Sequence, residues 1–181
     1  MHLVVLGEGP FADHLTDRID PSRVTQLGWV PHDEAARVVA SFDALPLTYS
    51  PDRPCYFSPL KLMEAMACGV VPIVPRLGDL EHAVAHEERG LIYPAGDADA
   101  LAQSIRRLVD DDHLRAQLAS RARSFAEKNS WSSIAREVLD VVTPREFGAI
   151  TADGVVEGAR AIGGLASTET GDDAIRLWRC V

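Results

Sequence analysis

The sequence predicts an α/β protein with a doubly wound parallel sheet of about five strands. Short apolar runs alternate with segments of helical periodicity, the pattern of repeated strand–helix units. The apolar runs, such as LVVL at 3–6 and VVPIVP at 70–75, do not alternate with polar residues, so we expect strands covered on both faces. The 181 residues, 46% hydrophobic and 25% charged, suffice for one globular domain with a sizeable core.

Each predicted element has its own local signal. Aspartate at 97 is placed to cap a helix, and Gly69 is placed to end one in the left-handed conformation. The predicted strands are 3–6, 24–30, 43–49, 70–75 and 90–93. The predicted helices are near 11–19 and over 31–42, 56–69, 80–87, 98–109, 111–127 and 131–142.

The organisation changes after residue 142. Residues 143–181 hold six of the 13 glycines and lack clear helical periodicity. We therefore predict one domain over 1–142 and a tail of uncertain structure over 143–181.

Composition excludes several functional classes. A net charge of −9 argues against a general nucleic-acid or membrane-surface role. No apolar run approaches the roughly 20 residues of a transmembrane helix, and the start has no basic signal-peptide region. Cys55, Cys68 and Cys180 lack metal-binding spacing, so we predict reduced thiols, a cytoplasmic protein and no metal site.

The segment YFSPLKLMEAMACG, residues 56–69, carries the main functional signal. Ser58 and Pro59 suit the start of a helix that is apolar except for Lys61 and Glu64, which lie three residues apart on one face. One hypothesis is an ion pair that only solvates the helix. The other is a ligand site at the carboxyl end of a strand, where the lysine and helix N-terminus bind phosphate and the glutamate binds a sugar diol.

Four consecutive segments together resemble the C-terminal domain of the family 4 glycosyltransferases. They are YFSPLKLMEAMACGVVPIV, GDLEHAV, ERGLIYPAGDADALAQSIRRLVDD and LRAQLASRARSFAEKNSW. The likeness runs from about residue 3 to about 142. It implies a retaining transferase with two Rossmann-like domains, the GT-B architecture, in which this domain binds a nucleotide-sugar donor.

The resemblance implies roles for individual residues. Glu64 matches the family glutamate that binds the ribose. The family's sugar-contacting glutamate lies eight positions earlier, where this sequence has Tyr56, so the donor sugar is left open. Phe57, Ser58 and Leu60 match positions beside the sugar and diphosphate. No catalytic residue is assigned.

The stretch LGWVP at 27–31 matches the family's base-binding strand end, which makes Trp29 and Val30 candidates to flank the base. No cofactor or metal is expected beyond the nucleotide-sugar substrate. Family members also carry an Arg/Lys segment that neutralises the diphosphate, and a whole acceptor domain, before the strand at 3–6.

The resemblance therefore implies the donor-binding part of a hexosyltransferase, truncated at its N-terminus, with the acceptor domain supplied in cis or as a separate chain. The nucleotide-sugar-binding domain over 1–142 is then expected to lack its first strand and helix. Such a chain is expected to be inactive alone. Two alternatives stay open: a non-catalytic nucleotide-sugar-binding fragment or half of a split enzyme, and a nucleotide-sugar epimerase, which can share the two-domain architecture.

Overall fold

The computed structural model describes residues 1–9, 19–52 and 60–142. The chain divides into two compact units: the first contains the described residues up to 126, and the second contains 127–142. Nearly all of the predicted helix at 11–19, and the whole of 143–181, lie outside the described residues. The division of the chain at residue 142 stays a prediction.

The first unit alternates strands and helices as predicted. Its strands are β1 (Leu3–Leu6), β2 (Val24–Gly28), β3 (Ala44–Pro46), β4 (Val71–Pro75) and β5 (Leu91–Tyr93). Its helices are a 3-10 turn (Pro21–Arg23), α1 (His32–Val39), α2 (Leu60–Ala67), α3 (Leu80–Val84), α4 (Ala98–Asp110) and α5 (Asp112–Lys128), the last of which ends in the second unit. The second unit contains α6 (Trp131–Val142).

All strand pairs in the described ranges are parallel, which confirms the doubly wound α/β class. The strands form two hydrogen-bonded sheets, β1–β2 and β3–β4–β5. Among the described residues, the strands therefore form two sheets and not the single sheet that was expected. Within that part of the chain, β1 and β3 each pair along one edge only. Hydrophobic pattern predicts the strands but not which edges meet, because pairing depends on residues far apart in the chain.

The core lies on both faces of β4 and β5. Alternate side chains of these strands enter two separate apolar clusters, as expected where helices cover a sheet on both sides. One cluster buries Leu47, Leu62, Met66, Ala67, Val74, Leu80, Val84, Ile92, Ala122 and Ala126. The other buries Val71, Ile73, Leu91, Tyr93, Leu108 and Leu118.

Helix ends follow local chemistry where the sequence shows it. Gly69 has φ +76° and ends α2 as predicted, while its N–H donates to Met66 O at 2.9 Å. Asp97 caps α4 by accepting a hydrogen bond from Ala100 N at 2.9 Å, also as predicted. The helix expected over 80–87 stops at Val84, because the chain turns through Ala85 at φ 42°.

Candidate functional site

Helix α2 follows β3 and begins at the carboxyl edge of the β3–β5 sheet, the edge at which ligands bind in open parallel sheets. Its orientation is fixed by apolar residues that pack into the core. These are Leu62, Ala65, Met66 and Ala67. The opposite stripe is consequently turned to solvent, and it carries Lys61 and Glu64, both exposed. The prediction that these two charges share one face is confirmed.

Lys61 and Glu64 do not pair with each other. Neither side chain forms a hydrogen bond or ion pair within the part of the chain that the structure describes. This observation speaks against the hypothesis that Lys61 and Glu64 form an ion pair with each other that only solvates the helix. Among the residues that the structure describes, one cationic and one anionic group instead stand without partners near the start of a helix, whose first N–H groups have no intrahelical acceptor.

The remaining predicted site residues fall in three places. Leu60 is 54% exposed at the first turn of α2, next to Lys61. Trp29, 73% exposed, and the half-buried Val30 follow β2 at the carboxyl edge of the other sheet. Tyr56, Phe57 and Ser58 lie outside the described residues.

The chain takes a special conformation just before Trp29. Gly28 has φ +65°, and its carbonyl accepts a hydrogen bond from Gly7 N at 2.7 Å. Gly7 itself has φ +109°, and the pairing register shifts between Val5 and Leu6. These features bend both strand ends at the edge where Trp29 is presented.

Sequence reasoning missed a second cation at the carboxyl edge of the β3–β5 sheet. Arg76 directly follows β4, and its N–H donates to Tyr93 O at 2.7 Å. Its guanidinium forms a 2.7 Å ion pair with Glu81 of α3, and both side chains are substantially exposed. The available signal was an arginine immediately after a buried strand, at the edge where ligands bind.

Tyr93 ends β5 at the same edge and is almost fully buried. Its hydroxyl donates to the carbonyl oxygen of Leu47 at 2.8 Å, at the point where the chain leaves β3. Burial raises the pKa of the Tyr93 phenol, so the hydroxyl keeps the proton that it donates.

Across residues 1–9, 19–52 and 60–142, no group of three or more His, Cys, Asp or Glu side chains is placed to hold a metal ion. Within those same ranges, no helix has the length and apolar character needed to cross a bilayer.

Comparisons with known families and sequences agree with this architecture. The model of the family described as "Glycosyl transferases group 1" matches residues 1–111. An uncharacterized glycosyltransferase of Methanocaldococcus jannaschii is 29% identical over 147 residues, covering 77% of this chain and 36% of the relative. The N-acetyl-alpha-D-glucosaminyl L-malate synthase of Bacillus anthracis is 30% identical over 125 residues, covering 67% of this chain and 31% of the relative.

Solved structures show the same fold. HepE of Anabaena in complex with UDP superposes with a TM-score of 0.68 at 22% identity, covering 79% of this chain and 41% of HepE. The sucrose-phosphate synthase of Thermosynechococcus elongatus gives 0.65 at 24% identity, covering 90% of this chain and 39% of the synthase. These neighbours are GT-B glycosyltransferases, so the fold is the Rossmann-like one of that architecture. The chain spans well under half the length of these relatives.

The family model covers more than half of the 181 residues, and the strand–helix order, the parallel pairing and the structural neighbours agree with it. The chain belongs to the group 1 glycosyl transferases.

Proposed function

We propose that this chain is the donor-binding portion of a glycosyltransferase that moves a hexosyl unit, with retention, from a nucleotide sugar to an acceptor hydroxyl. The observation that carries the proposal is the exposed stripe of α2, where Lys61 and Glu64 have no partner among the described residues, at the ligand-binding edge of a doubly wound sheet. A nucleotide sugar needs both kinds of group, since it carries a diphosphate and several diols.

Each group has a role that fits its chemistry. Lys61 neutralises phosphate charge together with the N–H groups at the start of α2. Glu64, one turn further along, accepts hydrogen bonds from the ribose diol, because an ionised carboxylate has only acceptors to offer. Because cationic side chains and the helix N-terminus do this neutralising, we propose that the transfer requires no metal ion.

The other predicted residues complete the proposed site. Leu60 lies beside the sugar and diphosphate with Phe57 and Ser58, and Tyr56 borders the sugar. Trp29 offers an exposed indole ring to stack on the base, next to Val30.

Relatives support the choice of ligand and of partner. HepE was solved with UDP and with UDP-glucose, and these structures superpose on the chain with TM-scores of 0.68 and 0.63. Because the chain covers 41% of HepE and 38% of a glycosyltransferase involved in lipopolysaccharide biosynthesis, we propose that an acceptor domain completes the enzyme. The chain without that domain is then inactive in transfer.

We further propose that the complete donor domain contains one more parallel strand, between β1 and β3. All four residues of β1 are apolar yet only half-buried, and β3 is half-buried too, whereas every residue of β4 is buried. A strand inserted between β1 and β3 gives the order β2–β1–new–β3–β4–β5. With the new strand counted first, that is the doubly wound order 3-2-1-4-5-6.

Calorimetric titration of the purified chain with UDP, GDP and ADP tests donor binding. We expect saturable binding of at least one of them. The chain has only two lysines, so Lys61→Met and Lys128→Met form a matched pair. Lys61→Met should weaken binding about tenfold, the equivalent of one charge-assisted contact, while Lys128→Met leaves it unchanged. Equal effects of the two substitutions would contradict the proposed phosphate contact.

The reaction itself is tested after an acceptor domain is supplied. Transfer of the sugar to an acceptor hydroxyl with the anomeric configuration kept, followed by NMR, is the expected result. Epimerised sugar nucleotide formed without any acceptor would favour the epimerase alternative instead. Donor binding without either reaction would leave the chain a binding module.

A further inference from the structure

The parallel ladder between β3 and β4 ends in an irregular way. Val71 N donates to Asp43 O at 3.2 Å, and Leu47 N donates to Ile73 O at 2.9 Å. In a parallel ladder, every second residue of one strand bonds to the partner strand through both its N–H and its C=O. In β4 these are residues 71, 73 and 75, so the next bond would run from the N–H of residue 75 to Leu47 O.

Residue 75 is a proline and has no N–H to give. Leu47 is only 4% exposed, so its carbonyl oxygen cannot rely on bulk water. A buried carbonyl without a donor is strongly unfavourable. The break that Pro75 makes in the ladder therefore has to be repaired by another donor.

The hydroxyl of Tyr93 is that donor. Tyr93 pairs with Pro75 in the β4–β5 register, and its hydroxyl reaches past the end of β4 to Leu47 O at 2.8 Å. The side chain is 4% exposed and packs in the cluster with Ile73 and Leu91, which holds the ring in place. The hydrogen bond thus joins the ends of the two outer strands of the sheet across its central strand.

Leu47 is also where the chain turns from buried to exposed. Thr48 and Ser50 are exposed, and the chain then runs on to Leu60, where α2 begins. The backbone at Leu47 directly follows β3 at the carboxyl edge of the sheet, the edge at which the donor site is proposed.

We propose that Tyr93 is a positioning residue for the donor site: by donating to Leu47 O in place of the missing N–H of Pro75, it fixes the backbone at the end of β3, at the edge of the sheet where the donor binds. This inference rests on the proposed function, because the end of β3 matters for binding only if this edge of the sheet binds the donor. Tyr93 itself does not touch the ligand.

The chain offers a rescue test. Tyr93→Phe removes the hydroxyl and keeps the ring, while Pro75→Ala restores an N–H that can donate to Leu47 O. Amide hydrogen exchange of the full chain, followed residue by residue by NMR, reports the local effect. We expect Tyr93→Phe to speed exchange at Leu47 about tenfold, with Val71, at the other end of the same ladder, unchanged. The double variant Tyr93→Phe/Pro75→Ala should return Leu47 to near the original rate.

Binding is measured on the same variants with whichever of UDP, GDP and ADP the original chain binds. Tyr93→Phe should raise the Kd at least fivefold, and the double variant should recover most of it. Leu108→Ala, in the same apolar cluster, is the control for lost packing: it should lower the melting temperature without changing Kd. A merely structural role would give Leu108→Ala and Tyr93→Phe the same pattern.

Three results would overturn the inference. Unchanged exchange at Leu47 in Tyr93→Phe would show that the hydrogen bond does not hold the chain, whatever the nucleotide does. Faster exchange at Leu47 with an unchanged Kd would remove the positioning role and leave donor binding intact. Faster exchange at Leu47 in a chain that binds none of the three nucleotides would overturn the proposed function, and the donor-site role of Tyr93 with it.

Discussion

Gly90 leaves no room for a side chain and allows a quantitative prediction. It is buried at the entry to β5, and its carbonyl accepts a hydrogen bond from Glu87 N at 2.8 Å. A Cβ atom added at Gly90 would lie 2.4 Å from Pro72 O and 2.9 Å from Val84 Cγ1. Both neighbours belong to packed elements, one in β4 and one at the end of α3.

The expected cost of Gly90→Ala follows from these distances. A contact of 2.4 Å with a backbone oxygen cannot be relieved by rotating a side chain, so β4 or the turn before β5 has to move. Overpacking typically costs about 1–3 kcal/mol, and a backbone clash belongs at the upper end, about 3 kcal/mol. For a domain of this size we expect the melting temperature to fall by about 10 °C.

Two other glycines are controls. An added Cβ at Gly69 meets no atom within 4 Å, but φ is +76°, so Gly69→Ala should cost about 1–2 kcal/mol through backbone strain alone. Gly9 has open space and no left-handed φ, so Gly9→Ala should be neutral or stabilising by up to about 1 kcal/mol. Urea unfolding of the three variants gives the free energies of unfolding. If Gly90→Ala costs no more than Gly69→Ala, the steric reasoning is wrong.

Three further predictions concern side chains of the first unit. Arg89 is 19% exposed, donates to two backbone carbonyls of α3 at 2.9 Å and lies 4.2 Å from the ring centre of Phe125. Arg89→Met should therefore lower the free energy of unfolding by about 2–4 kcal/mol in urea titrations. A change below about 0.5 kcal/mol would contradict this. Burial raises the pKa of Tyr93 in the folded chain. The contribution of Tyr93 to stability is therefore complete below the pKa of the unfolded chain, about 10, and is lost as pH rises through the pKa of the folded chain. Above pH about 10, the free energy of unfolding should fall more steeply in the original chain than in Tyr93→Phe. The hydrogen bond from Arg107 lowers the pKa of Glu87, so the contribution of Glu87 to stability is complete above the pKa of the unfolded chain, about 4.3, and is lost as pH falls through the pKa of the folded chain. The difference in the free energy of unfolding between the original chain and Glu87→Gln should therefore narrow in acid. A difference independent of pH would argue against the ion pair of Arg107 with Glu87.

The sequence predicted those features that depend on neighbouring residues. The left-handed Gly69, the Asp97 cap and the shared face of Lys61 and Glu64 are all set within a few positions of the chain. The parallel class was predictable too, because a strand such as VVPIVP that is apolar at every position has to be covered on both faces.

The features that were not predictable depend on register and on tertiary packing. The role of Tyr93 requires knowing that Pro75 stands opposite the Leu47 carbonyl, which no local pattern shows. The early end of α3 requires left-handed backbone at Ala85 and Glu87, two residue types that rarely adopt it. The hydrogen bonds of Arg89 to the end of α3 depend on that same turn.

Glu64 is proposed to hold the ribose diol of a nucleotide bound at the start of α2. The most direct measurement is the ratio of Kd values for the nucleoside diphosphate that binds and for its 2′-deoxy analogue, in the original chain, in Glu64→Ala and in the exposed control Glu137→Ala. We predict that the ribose form binds about tenfold more tightly, that Glu64→Ala removes this preference, and that Glu137→Ala keeps it. A preference that survives in Glu64→Ala would contradict the claim.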